Sequence, residues 1–261
     1  MPAKGSFFRI APIWDGETIV WYQVLYSGIR WAMALAVFLP VASAWFVLTF
    51  LVASRPLDPF AKWISRTMIR AAGVRVLVEN PPPASLGTRL YVGNHVNIFD
   101  VFLYYGWLPG YVKGVELEDH FRWFLYGPII RRLGNIPLSQ KNPRAALASL
   151  GRAREALARG TSLIILPEGQ RTLTGDFMEF KTGAFRLAKG APATLIPVFM
   201  DGAWKIARRG SLFIRPGIVR LRFGDPLVPE ATLHQEPHEL RDRVLAELRR
   251  LRDVRPPSKF P

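Results

Sequence analysis

An α/β domain, with a mixed but mostly parallel sheet flanked by helices and an apolar helical segment in front of it, is the fold class this sequence predicts. Two observations carry the prediction. From Val74 onward, short runs rich in Val, Ile and Leu alternate with stretches of helical periodicity, the pattern of strands joined by helical connections. Upstream, the chain carries no charge from Trp31 to Ala53. The chain divides accordingly into an N-terminal helical region over 1–72, an α/β domain over 73–255 and a loose, proline-containing tail over 256–261.

The uncharged run comes first. As one helix it would extend about 35 Å at ~1.5 Å per residue, enough to cross a bilayer. Pro40 falls near its middle, where it would kink the helix or divide it in two. Lys4, Arg9 and Arg30 precede the run, and Arg55, Lys62, Arg66 and Arg70 follow it. Cations on both sides give no orientation and suit a single span or a hairpin returning to the same leaflet. Trp14, Trp21, Trp31, Trp45 and Trp63 gather here, as expected of a belt at the membrane–water boundary. The run begins too late and lasts too long for a secretory signal. The expectation is a membrane anchor, with a buried core helix of a soluble protein as the alternative.

The α/β elements follow in order. VRVLVEN and TRLYVGN read as strands separated by the turn-rich PPPASLG. Asn142 caps a helix with Pro143 at its first position; Leu147, Leu150 and Leu157 keep helical spacing and Gly160 ends it. TSLIILP is a third strand, FKTGAFRLAKG a helix closed by Gly190, and ATLIPVFM a fourth strand. GIVRLRFG alternates Val219, Leu221 and Phe223 with Arg220 and Arg222, as a strand does. EPHELRDRVLAELRRLRD is the closing helix. HQEPH, at its start, lacks the His-Glu-x-x-His register and is interrupted by Pro237, so no metal site is expected.

Composition narrows the chemistry. The formal charge of +15 draws anions: nucleic acid, an anionic membrane or phosphorylated substrates. A hydrophobic content of 49% and the lack of a nucleic-acid motif favour the membrane. The absence of cysteine excludes disulfides, a thiol nucleophile and thiolate metal sites.

Two segments combine chemistry-bearing residues with strand ends. In NHVNIFD, His95 follows a strand and Asp100 comes five residues later. On one continuous helix the two would lie about 140° apart. They meet if His95 occupies the strand-to-helix loop and Asp100 the first helical turn, where the carboxylate would hold one imidazole nitrogen and leave the other to take a proton. LPEGQRT makes a tight turn after another strand, and its backbone N–H groups beside Arg171 suit an oxyanion or a phosphate. A third segment, KGVELEDHF, offers Lys113 with Glu116, a spacing that on a helix is usually a solvated pair.

Taken together these segments resemble the glycerolipid acyltransferases, the 1-acylglycerol-3-phosphate acyltransferases and their relatives. The first motif of that family, N-H-x4-D, is met by Asn94, His95 and Asp100. A second block runs from Lys113, Glu116 and Leu117 to GPIIRRLGNIPL. The third, P-E-G-T-R with F-K-x-G-A, reads Pro167, Glu168, Gly169, Gln170 and Arg171, then Phe180, Lys181, Thr182, Gly183 and Ala184. Ile196, Pro197 and Val198 match the fourth. The order and spacing hold over roughly residues 75 to 230. Two positions depart: the second block ends in Ser139 and Gln140, where Asp-Arg is common, with Lys141 next, and Gln170 replaces the threonine of the third motif.

The resemblance implies transfer of a fatty acyl group from acyl-CoA or acyl-carrier protein to the free hydroxyl of a lysophospholipid, most simply 1-acylglycerol-3-phosphate, giving phosphatidic acid. It implies His95 as general base and Asp100 as the group that orients it. Asn94, Lys113, Gln140, Glu168, Gly169, Arg171 and Lys181 would bind substrate, with Lys113 and Arg171 on the acceptor phosphate. No cofactor and no metal are required, nucleic acid is no partner, and membrane lipids are. Because thioester donors are cytosolic, the domain would face the cytoplasm. The change at Gln140 leaves other lysolipid acceptors open. A lipid-binding protein without turnover is the alternative from outside the enzyme class.

Overall fold

The structure, a computed structural model, describes residues 21–124, 126–139 and 141–254. Lys4, Arg9, Trp14, the Trp21 side chain, Gln140 and the tail at 256–261 lie outside the described residues. The elements run in the order α1 (Trp21–Leu48), α2 (Asp58–Ala71), β1 (Val74–Glu79), β2 (Arg89–Gly93), α3 (Asp100–Trp107), β3 (Val112–Leu117), α4 (Tyr126–Leu133), β4 (Ile136–Leu138), α5 (Pro143–Ala158), β5 (Ser162–Ile165), α6 (Gly183–Ala188), β6 (Thr194–Asp201), α7 (Ala203–Ile206), β7 (Gly217–Phe223), α8 (Pro229–Leu233) and α9 (Pro237–Asp253).

The strands form one sheet in the order β1-β7-β6-β2-β5-β3-β4. Every neighbouring pair is parallel except β6 with β7. β2 lies at the centre and all its residues are buried. Its side chains alternate between two cores, as the two-residue period of a strand requires. Tyr91 enters the core built with Ile69, Phe99, Leu103 and Leu221. Leu90 and Val92 enter the other, with Phe185, Leu240, Val244 and Leu248 from α6 and α9. Large side chains buried this completely contribute roughly 1.5–3 kcal/mol each, and they hold the end of β2 at a fixed height in the molecule.

Several elements follow their local signals. Asn142 Oδ1 accepts the Ala145 N–H at 2.8 Å and starts α5. Glu236 and Glu239 form a reciprocal capping box at the start of α9, so His234 and His238 belong to helix boundaries. Among the described residues no group of three or more His, Cys, Asp or Glu side chains is placed to hold a metal ion.

Other elements differ from the sequence reading. KGVEL is a strand, β3, and not a helix, so Lys113 and Glu116 project to opposite faces of the sheet. β4 adds a seventh strand of three residues. α1 begins at Trp21, well before the uncharged run, and continues through Pro40 without a break.

α1 is long and apolar enough, by length and composition, to cross a membrane. One face nevertheless docks on the α/β domain along its length. Ser27 Oγ accepts the Ile214 N–H at 3.1 Å, Trp31 stacks on Phe99 at 5.6 Å between ring centroids, Phe38 meets Phe102 edge-on, and Trp45 is buried. The opposite face, with Leu25, Ile29, Met33 and Leu39, is exposed and apolar.

Candidate active site

The site forms where β2 ends. Gly93 is the last strand residue, and a Cβ there would lie 2.5 Å from the Tyr104 hydroxyl, so only glycine admits the tyrosine at this height. Burial pushes the Tyr104 phenol well above its ordinary value, which keeps it a donor. It shares its proton between the Asn94 carbonyl at 2.9 Å and Asn94 Oδ1 at 3.1 Å. The Asn94 amide also bonds both the N–H and the carbonyl of Met200 on β6. Asn94 therefore fastens the end of β2 to its neighbour. It is buried and fully engaged, so the structure moves it from substrate binding to support.

His95 and Asp100 meet as the loop-and-first-turn geometry requires. His95 Nδ1 lies 2.8 Å from Asp100 Oδ2, the same oxygen that accepts the N–H groups of Val96 and Asn97. An oxygen already accepting two N–H donors fixes the tautomer: Nδ1 carries the proton, and Nε2 is left with a lone pair. The Asp100 side chain is 0% exposed and that of His95 23%, so the carboxylate is sealed while the imidazole faces outward. Asn97, within this loop, ties it to the segment that follows β6. Its amide donates to the carbonyls of Ala203 at 2.8 Å and Ala207 at 3.2 Å, and its Oδ1 accepts the Phe99 N–H.

The Pro-Glu-Gly turn after β5 closes on the histidine backbone from the other side. Glu168 Oε1 accepts the His95 N–H at 2.8 Å and Oε2 accepts the Met178 N–H at 3.0 Å, while the Thr172 N–H donates to the His95 carbonyl at 3.0 Å. Burial pushes the Glu168 carboxyl up, against the pull of these two N–H groups. Glu168 is buried with both oxygens occupied; it braces His95 and does not line a substrate pocket. Gly169 adopts φ +67°, which favours glycine, and its N–H bonds the Leu166 carbonyl. That N–H is committed to the turn and so is not an oxyanion donor. Lys181 crosses over Gly169 so closely that a Cβ there would meet its Nζ at 2.9 Å. The lysine is exposed at the mouth of the site.

Arg171 is half-buried. Burial lowers the pKa of its guanidinium, the nearby Arg209 lowers it further, and Asp100 opposes both. Lys113, by contrast, does not reach the site. The β-sheet register sets it beside Leu163, which is itself level with Leu90, three residues or about 10 Å below the end of β2. Its side chain is 2% exposed, 3.6 Å from Asp58 Oδ1 and over the Tyr111 ring at 4.1 Å. Burial pulls its pKa down to about 8, against the attraction of Asp58. The expected phosphate contact from Lys113 is therefore corrected: a lipid head group would have to enter the core to meet it. Glu116, on the other face, accepts from Tyr126 and Asn135. Thr172, Asn97 and Tyr104, which sequence reasoning passed over, belong to the support. Asn97 stands inside the N-H-x4-D segment, and its position there was the available signal.

Residues 75–201 match the family model described as Acyltransferase. The 1-acyl-sn-glycerol-3-phosphate acyltransferase of Cocos nucifera is 27% identical over 139 residues, 53% of this chain and 45% of the relative. That of Limnanthes douglasii is 24% identical over 213 residues, 79% of this chain and 75% of the relative. The chloroplastic one of Arabidopsis thaliana is 29% identical over 176 residues, 67% of this chain and 46% of the relative. The match thus spans about half the length of the coconut and Arabidopsis proteins. Among solved structures, the 1-acyl-sn-glycerophosphate acyltransferase PlsC of Thermotoga maritima superposes with a TM-score of 0.72, covering 90% of this chain and 98% of that one at 20% identity, a likeness of fold.

Proposed function

This chain belongs to the glycerolipid acyltransferase family, and from that premise we propose that it transfers a fatty acyl group from a thioester to the free hydroxyl of 1-acylglycerol-3-phosphate. The observation that carries the reading is the His95–Asp100 pair, with a sealed carboxylate on Nδ1 and an outward Nε2. An alcohol is a weak nucleophile near neutral pH. Nε2 takes the hydroxyl proton as the oxygen attacks the thioester carbonyl, and Asp100 stabilises the imidazolium that forms. The tetrahedral intermediate collapses with cleavage of the carbon–sulfur bond, and the imidazolium returns its proton to the departing thiolate. Atoms and charge balance without an acyl-enzyme, in keeping with a chain that has no cysteine and no nucleophile elbow.

In this reading Arg171 and Lys181 meet the acceptor phosphate; Arg171 is half-buried and Lys181 exposed, which leaves both within reach of a ligand. The reading includes a membrane anchor in the N-terminal region. The exposed apolar face of α1 supports it, because α1 packs through Trp31 on Phe99, next to Asp100. An acceptor held in the bilayer then lies close to the base. Cytosolic thioester donors place the domain on the cytoplasmic side, and both acyl-CoA and acyl-carrier protein fit the strongly basic chain.

The test is acyl transfer by the purified, detergent-solubilised protein. Labelled acyl-CoA or acyl-carrier protein is offered with a panel of lysolipids, beside folded His95→Ala. Transfer to lysophosphatidic acid that disappears in the variant is the expected result. Transfer to a different lysolipid only would move the acceptor. No transfer from either donor to any acceptor would overturn the enzymatic reading in favour of a lipid-binding protein.

A further inference from the structure

A second arginine stands beside Arg171, from a part of the chain outside the four sequence blocks. Arg209 lies between α7 and β7. Its Nη1 donates to the Arg171 carbonyl at 2.9 Å and lies 3.5 Å from Gln170 Oε1. The segment that carries it is tied to the His95 loop, because Asn97 bonds the carbonyls of Ala203 and Ala207. Arg209 is two residues beyond the second of these, so its height relative to His95 is set by the same contacts that shape the N-H-x4-D loop.

Two guanidinium groups come together here without a counter-charge among the described residues. Buried arginines elsewhere are satisfied within the chain: Arg222 has Glu79 at 2.9 Å and Asp201 at 3.0 Å, and Arg89 donates to the carbonyls of Pro83 and Ala84. Arg171 and Arg209 are both partly buried, and among the described residues no carboxylate lies within ion-pair distance of either. Two like charges brought together away from bulk water repel, and Arg171 feels Arg209 in this way. A bound anion would relieve the repulsion. In a 1-acylglycerol-3-phosphate the reacting hydroxyl and the phosphate ester are on adjacent carbons, so a group gripping that phosphate must lie close to the base. Arg171 does, since the next residue, Thr172, bonds the His95 carbonyl.

We propose that Arg209 supplies the second guanidinium of a clamp, shared with Arg171, for the phosphate monoester dianion of the acyl acceptor. The proposal rests on the acceptor assignment made above. One Arg209 nitrogen is used on the backbone, and a guanidinium has five N–H groups in all, so donors remain for the phosphate oxygens. A dianion held by two guanidinium groups distinguishes a phosphate monoester from a phosphodiester, which has one charge and one oxygen fewer to offer.

The experiment compares wild type with Arg209→Ala, Arg209→Gln and Arg209→Lys in steady-state kinetics and in thermal-shift titrations with glycerol 3-phosphate. Loss of one charge-assisted contact is expected to raise KM for lysophosphatidic acid about 10- to 100-fold in the Ala and Gln variants, with KM for acyl-CoA unchanged. Lysine should recover part of the loss, because it keeps the charge and loses the fork. The unliganded melting temperature should stay near wild type, and the stabilisation by glycerol 3-phosphate should shrink. A rise confined to the donor KM would assign Arg209 to a donor phosphate and overturn the proposal. A lower melting temperature with both KM values unchanged would leave it a loop brace, and would also overturn it. If wild type does not acylate lysophosphatidic acid, the acceptor assignment fails separately. The titration then decides: stabilisation of wild type but not of Arg209→Ala upholds the phosphate clamp, and equal shifts dismiss it.

Discussion

Glu168→Gln tests the division of labour within the site more sharply than removal of the base would. Glu168 meets two backbone donors, the His95 N–H at 2.8 Å and the Met178 N–H at 3.0 Å, with one carboxylate oxygen each. Glutamine is almost isosteric but offers one oxygen and one NH2. Whichever way the amide is turned, one backbone N–H then faces another donor. A buried donor left unpaired costs roughly 1–3 kcal/mol, and weakening the other bond from charged to neutral adds about 1 kcal/mol. Glutamine escapes the desolvation that pushes the Glu168 carboxyl up, which offsets part of this. The expected net loss is roughly 2–3 kcal/mol, or about 4–12 °C in Tm for a domain of this size. Catalysis should suffer with it, because the His95 backbone would be held firmly only by Thr172. A base displaced by even a fraction of an ångström lowers kcat by about 10- to 100-fold. KM for the acceptor should stay within roughly threefold, since Glu168 touches no substrate here. Thermal unfolding and steady-state kinetics on one preparation measure all three quantities. An acceptor KM raised tenfold or more, with Tm and kcat unchanged, would refute the bracing role and return Glu168 to the substrate pocket.

Asp100→Asn removes the charge opposite the imidazole. By analogy with the serine-protease triad, where the same exchange costs about 10⁴ in kcat, a loss of roughly 10³–10⁴ is expected with little change in either KM; a loss below tenfold would mean that Asp100 does not orient the base. Lys113→Met should leave acceptor KM unchanged, because Asp58 keeps Lys62 at 3.4 Å and the Tyr105 hydroxyl at 2.6 Å while the core loses one cation. It also isolates a pH effect. Burial pulls Lys113 from 10.5 to about 8, so between those values the unfolded chain holds a proton that the folded one has released. Wild-type stability measured by denaturant should therefore rise with pH across that window relative to the variant, and a flat difference would place Lys113 in solvent. Gly202→Ala should cost roughly 2–4 kcal/mol and reduce kcat, since φ is +86° and the new Cβ would clash with the Ile218 carbonyl oxygen, displacing the Ala203 carbonyl that holds Asn97.

Where the sequence was legible, the reason is short range. His95 and Asp100 are five residues apart at the end of a strand whose apolar character is plain, so one local change of direction brings them together. The Asn142-Pro143 start of α5 and the capping box of α9 are local in the same sense. β3 and β4 were hidden for reasons equally physical. VKGVEL carries a lysine, a glycine and a glutamate within six residues, and β4 is three residues long at the sheet edge, with a proline in the middle. Neither presents an apolar run to read.

Roles were less legible than membership, because a role depends on what arrives from elsewhere in the chain. Lys113 looked like a surface cation until Asp58, 55 residues upstream in sequence, was brought against it with two tyrosines. Glu168 was expected to bind substrate from a tight turn, but the turn folds inward onto a backbone 73 residues away. Arg209 carried no signal at all, lying in a loop with neither helical nor strand periodicity. The first two cases share a cause. A charged residue in a motif is read from sequence as facing a ligand, because the alternative, a buried charge satisfied by distant backbone or a distant ion, leaves no trace in local spacing. In this site the residues divide by depth: Asn94, Asp100 and Glu168 are buried and bonded around His95, while Arg171, Lys181 and Arg209, which we propose meet the substrate, lie nearer the surface. Burial therefore separates the residues whose loss should act on kcat and stability together from those whose loss should act on the KM of one substrate, and each variant above tests which side of that line its residue stands on.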